Sequence, residues 1–186
     1  MPQKGLPTVT AIIVAAGASR RMGFDKLSYC LPDGRTVLET SCALFAAHPA
    51  VDELVLVAGG NRPQCEAIAA ACPKPCTVVQ GGATRADSVR SGLAAAKGQL
   101  VAIHDAARPF ASAEIITAAL QAAAESGAAA PAVPVKDTIK IADQDGKVVA
   151  TPDRAMLYAV QTPQCFDRAL YLQALETVSG EKASLV

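Results

Sequence analysis

A chain of 186 residues with 51% apolar and 18% charged side chains can bury one substantial core and lacks the polar bias of a disordered segment. Its 17 Lys and Arg balance 17 Asp and Glu, so nothing points to nucleic acid or an anionic membrane surface as partner, and without Trp no stacking platform for single strands is evident. No apolar run is long enough to span a bilayer. The six cysteines hold one close pair, Cys72-x-x-x-Cys76, with no second pair or nearby histidine to complete a zinc site. They read as reduced thiols in a cytoplasmic protein.

Lys4 and the apolar run up to Ser19 superficially resemble a short signal peptide. The run is brief, and cleavage there would discard the glycine turn that follows, so it reads as the first core strand. Val37, Leu38, Ser41, Leu44 and Phe45 then recur at helical spacing, with Pro49 as the stop. Glu53–Ala58 predicts a strand, and Asn61-Arg62-Pro63 predicts an N-cap and a helix to about Ala71. Thr77–Gln80 is a short strand, and Thr84-x-x-Asp87 opens a helix that Gly98 closes. Gln99–His104 is an apolar strand ending at Asp105, and Ser112 caps a helix stopped by Gly127. Ala128–Val135 predicts another strand. Asp137–Ala142 and Lys147–Ala150 flank a turn, predicting a polar hairpin that projects from the sheet. Tyr158–Gln161 is a short strand, and Asp167 caps a last helix to about Val178. This alternation predicts an α/β, Rossmann-like domain over 1–186: a mainly parallel sheet with helices on both faces, plus a β-hairpin arm at about 136–154.

Three stretches carry chemistry. Ala15, Ala16 and Gly17 end the first strand with so little side chain that an anion can approach the main chain, and Arg20, Arg21 and Lys26 follow. Five residues separate Gly17 from Gly23, so this is no P-loop, and Ala15 and Ala18 break the dinucleotide fingerprint. Next, Gly81-Gly82 after a strand suits a backbone facing a planar base, with Arg85 and Ser88 a turn further on; a plain helix entry reads equally well. Last, His104-Asp105-Ala106-Ala107-Arg108-Pro109 puts an aspartate at a strand end, suited to Mg²⁺ completed by phosphate and water. Arg108 can hold that acid or a neighbouring one. His104 reads as a core histidine.

Taken in order with Pro134–Lys140 and Gln161-Thr162-Pro163-Gln164, these stretches resemble the 2-C-methyl-D-erythritol 4-phosphate cytidylyltransferase family, from Thr10 to about Leu175. The resemblance implies transfer of a cytidylyl group from CTP to a sugar-alcohol phosphate, releasing pyrophosphate, in non-mevalonate isoprenoid synthesis. It implies that Ala15, Ala16 and Gly17 contact the nucleotide, that Arg21 and Lys26 are the catalytic cations, and that Gly82, Arg85 and Ser88 form the cytidine pocket. Asp105 would bind Mg²⁺, and Arg108, Thr138, Arg154 and Thr162 would bind the methylerythritol phosphate. A homodimer is also implied, the arm of one subunit carrying Arg154 to the other's site.

The chain departs from the family in three places. Met22 to Lys26 is shorter than is common, and Ala83 stands where relatives can carry an acid. The family also continues past the last helix to a further strand and a catalytic lysine, whereas this sequence ends at Val186. The expectation is therefore a chain lacking that part, or one half of a bifunctional enzyme. Rival readings are a ribitol- or other polyol-phosphate cytidylyltransferase, a molybdopterin guanylyltransferase (disfavoured by the second and third stretches) and a non-catalytic nucleotide-binding module.

Overall fold

The structure, a computed structural model, describes residues 5–17 and 25–178. Its centre is β1 (Val9–Val14), flanked in parallel by β2 (Glu53–Ala58) and β4 (Leu100–Asp105). Beyond β2 lies β3 (Cys76–Gln80), also parallel. Successive side chains of a strand point to opposite faces, and β1 shows the consequence. Val9, Ala11 and Ile13 join a core with α1 (Val37–Ala47), α2 (Arg62–Ala71) and α4 (Ala113–Ser126). Ile12 joins another with α3 (Arg85–Ala95) and α5 (Arg168–Val178). Both faces are therefore covered, as a parallel sheet requires.

Local chemistry explains the helix starts. Thr36 with Glu39 and Thr84 with Asp87 form reciprocal capping boxes on α1 and α3, and Ser112 accepts from Ile115 N on α4. Gly127 ends α4 with φ 82°, a left-handed conformation that favours glycine. Asn61 occupies the N-cap position of α2 but makes no cap bond; its Oδ1 instead accepts from Gly59 N at 3.0 Å. Gly98 does not close α3 by a left-handed turn either. A Cβ there would sit 2.6 Å from Thr10 N, so this glycine lets the α3–β4 connection pass against β1.

Two of the strand expectations needed correction as well. The segment Ala128–Val135 is not one strand: β5 (Ala128–Ala129) and β6 (Ala132–Pro134) belong to different sheets. Pro131 lies between them and has no N–H to give a ladder. After β7 (Ile141–Ala142), β8 (Val148–Ala150) and β9 (Tyr158–Val160) comes a strand absent from the sequence reading, β10 (Gln164–Asp167). It runs antiparallel to β4 and β5, giving the order β3-β2-β1-β4-β10-β5. Asp167 nonetheless caps α5, accepting from Leu170 N at 2.9 Å.

Outside that sheet, β6 pairs with β9 and β7 with β8. The hairpin is shorter than expected, and its surface is not simply polar: Ile141, Val148 and Val149 are all well exposed. Among the described residues no helix is long and apolar enough to cross a membrane.

His48, at the end of α1, gives stability a pH dependence. It is buried, with Nε2 3.2 Å from Ala113 O and Nδ1 accepting from Ala50 N at 3.3 Å. Burial, with a smaller push from nearby Lys74, holds its pKa below the usual histidine range. The unfolded chain then binds the proton more readily, so stability rises with pH through this window. We expect the full contribution above the ordinary histidine pKa of about 6.5 and its progressive loss below. A melting temperature that stays flat from neutral to mildly acid pH would contradict this.

Candidate active site

The chain runs outward from β1 to β2 to β3, then returns to place β4 on the other side of β1. Ligands in α/β sheets bind at such a reversal, beyond the carboxyl ends of the strands. Here those ends are Val14, Gln80 and Asp105, and beyond them opens a cavity of about 860 Å³. All three stretches singled out in the sequence line it: Ala15, Ala16 and Gly17 from the first, Gly82, Arg85 and Ser88 from the second, Asp105 and Arg108 from the third. The second cavity worth comparing, about 410 Å³ between α1 and α2, has an apolar lining that includes Leu38, Cys42 and Ile68.

Small residues are required here for loop-on-loop packing. A Cβ on Gly81 would fall 2.3 Å from the Ala16 Cβ and 2.9 Å from Ser88 Oγ, and one on Gly82 would fall 2.2 Å from the Asp87 Cβ. The paired glycines therefore seat the second loop against the first and against its own helix, and Gly82 also lines the cavity. At Gly17, by contrast, a Cβ would meet nothing within 4 Å. Ser88 is buried, and its Oγ accepts from Gly82 N at 3.2 Å, holding the loop on the helix.

Asp105 is the focus of charge. Its Oδ1 accepts from Arg85 Nε at 3.3 Å and Nη2 at 3.1 Å, and its Oδ2 from Arg108 Nε at 3.4 Å. One carboxylate between two guanidiniums leaves a local positive excess suited to anions. Arg108 also donates from Nη1 to Gln161 Oε1, a partner the sequence reading missed. The turn after Asp105 is pinned from below: Ser41 Oγ donates to Ala106 O at 2.7 Å, and His104 Nε2 lies 3.0 Å from Arg108 O.

The remaining expected residues are placed less directly. Lys26 is half-buried and lies in an adjoining hollow of about 280 Å³ that shares Ala107 with the main cavity. Arg21 lies outside the described residues. Thr162 is buried, and its hydroxyl is 2.9 Å from His104 Nδ1 and 3.4 Å from Asp105 N. Thr138 and Arg154 are exposed on the arm and are not among the residues lining the cavity. Arg154 Nη1 donates to Lys136 O at 3.2 Å.

Comparison with known proteins agrees with this geometry. Residues 9–185 match the family described as IspD, 2-C-methyl-D-erythritol 4-phosphate cytidylyltransferase. A cytidylyltransferase of that name from Symbiobacterium thermophilum is 48% identical over 85% of this chain and 68% of its own length. A bifunctional IspD/IspF enzyme from Anaeromyxobacter dehalogenans is 44% identical over 95% of this chain, which spans only 46% of that longer protein. Among solved structures, 4-diphosphocytidyl-2C-methyl-D-erythritol synthase from Anaerococcus prevotii superposes with a TM-score of 0.84 at 32% identity, covering 97% of this chain and 78% of its own. The strand order, the cavity at its reversal and these matches agree: the chain belongs to the 2-C-methyl-D-erythritol 4-phosphate cytidylyltransferase family.

Proposed function

We propose that this chain transfers a cytidylyl group from CTP to 2-C-methyl-D-erythritol 4-phosphate, releasing pyrophosphate, in the non-mevalonate route to isoprenoid precursors. The observation that supports it most is the convergence of three separate stretches on one cavity with Asp105 held between two arginines. A phosphate oxygen of the alditol phosphate attacks the α-phosphorus in line, and the bond to the bridging oxygen breaks. Negative charge builds on the departing pyrophosphate, so the protein's task is positioning and charge stabilisation, with no nucleophile of its own.

In this reading Ala15, Ala16 and Gly17 give the triphosphate access to main chain, and Arg21 and Lys26 meet the developing charge. Gly82, Arg85 and Ser88 hold the cytidine side. Arg108, Thr138, Arg154 and Thr162 take the alditol phosphate. Arg85 pairs with Asp105, and an entering nucleotide would compete for it.

Magnesium fits this donor set only together with the nucleotide. Among the described residues no group of three or more His, Cys, Asp or Glu could hold a metal, and Asp105 is a single carboxylate. Magnesium commonly uses one or two carboxylates and fills its shell with phosphate oxygens and water. Asp105 would hold it in that company, where the ion would offset triphosphate charge. The apolar side chains exposed on the arm support a homodimer, in which each arm brings Thr138 and Arg154 to the other subunit's cavity. The enzyme would work in the cytoplasm as one domain with its arm at about 136–154.

Pyrophosphate release from CTP and Mg²⁺ tests the reading, with methylerythritol phosphate against ribitol phosphate as acceptors. Preference for ribitol phosphate, or no release with either, would overturn it. Within this reaction Lys26→Ala should lower kcat about 100-fold, the scale for losing one transition-state donor. CTP binding should weaken far less, because the charge Lys26 meets develops during transfer. An unchanged kcat would remove Lys26 from the mechanism.

A further inference from the structure

His104 carries no role in the reaction as read above, yet it is fully buried directly beneath the site, its ring centroid 4.8 Å from that of Phe45. Both ring nitrogens are engaged. Nε2 faces the Arg108 carbonyl at 3.0 Å, which only accepts, so Nε2 carries the hydrogen. In that tautomer Nδ1 is the acceptor, and the Thr162 hydroxyl lies 2.9 Å from it. The Thr162 oxygen in turn accepts from Asp105 N–H at 3.4 Å. The bonds run in one direction: Asp105 N–H to Thr162, Thr162 O–H to His104, His104 N–H to Arg108 O. The β4–β10 register that pairs Ile103 with Gln164 brings Thr162 level with Asp105.

We propose that His104 is a positioning residue that, through Thr162 below and the Arg108 carbonyl beside it, fixes Asp105 and Arg108 relative to each other. This rests on the cytidylyltransferase reading for its kinetic test but not for its structural one. The imidazole adds a buried brace to the direct bonds between the two residues, Arg108 N–H to Asp105 O at 3.0 Å and Arg108 Nε to Asp105 Oδ2 at 3.4 Å. Misplacement of a positioning group by about 1 Å can cost on the order of 10²-fold in rate.

Wild-type turnover comes first, since its absence would sink the enzyme reading alone. Nitrogen-15 NMR of the full chain then reports the ring directly, whether or not it turns over. The expected result is a neutral ring with the proton on Nε2, kept in Thr162→Ser and perturbed in Thr162→Val; a proton on Nδ1 overturns the proposal. For kinetics, His104→Gln keeps a donor for the Arg108 carbonyl and loses the acceptor for Thr162. It and Thr162→Val should each lower kcat/KM for the alditol phosphate by about 10- to 100-fold. CTP affinity measured in EDTA should hold, and Thr162→Ser should recover most of the activity. The double variant should be no worse than the worse single one, because both cut the same link. Additive losses, or CTP affinity falling in parallel, would overturn the proposal in favour of a merely structural histidine.

Discussion

Asp105→Asn should lower kcat/KM for nucleotidyl transfer by about 10²- to 10³-fold, the range for removing one preorganised electrostatic contact at a reacting phosphoryl or acyl group. The swap keeps size and the Asp105 N–H bond to Thr162 but removes the negative charge. Two consequences follow. On the proposed reading a divalent cation would lose its protein carboxylate, and Arg85 and Arg108 lose the acid between them. Stability should hardly move, since partly exposed ion pairs contribute only about 0–1 kcal/mol, and the side chain is 31% exposed. The measurement is steady-state kinetics beside a thermal melt, with manganese titrated in the presence of a non-hydrolysable CTP analogue. Wild-type kcat/KM in the variant would show that Asp105 is not the metal-holding acid.

Phe45→Ala should be the most damaging of the core truncations. The ring is fully buried on α1, in the core shared with Leu38, Leu54, Leu56 and Leu120. Removing such a ring costs about 3–5 kcal/mol, combining lost transfer energy with a cavity the neighbours fill only partly. For a domain of this size each kcal/mol lowers the melting temperature by roughly 2–4 °C, so a fall of roughly 6–20 °C is expected. Phe45 is also the ring against which His104 rests, so residual folded protein should lose activity beyond its loss of stability. A melt within about 2 °C of wild type, roughly 0.5–1 kcal/mol, would mean that the core closes over the gap.

Much of this was legible in order along the chain because its causes are local. Thr84 with Asp87 and Ser112 with Gly127 announce helix ends through bonds spanning a few residues. The apolar runs at Glu53–Ala58 and Leu100–Asp105 became parallel strands because both their faces are covered. Where the reading failed, the deciding partner was distant. Gln164–Asp167 has no strong strand signature and became a strand because β4 offered it a free edge. Asn61 is the local exception, giving up its cap bond for the Gly59 N–H two residues back. Gly98 and Gly81 are glycine because β1 and the loop after it pass within contact of them, which no helix-end rule contains.

The sequence by itself determined the alternating architecture and singled out the three stretches that line the cavity, since periodicity, caps and small-residue turns act over a few positions. Only the tertiary structure decided that Arg85 and Arg108 grip opposite oxygens of Asp105, and that His104 and Thr162 brace it from beneath. Those bonds join residues up to 58 positions apart. Their geometry follows from strand order and register, which arise when the sheet assembles.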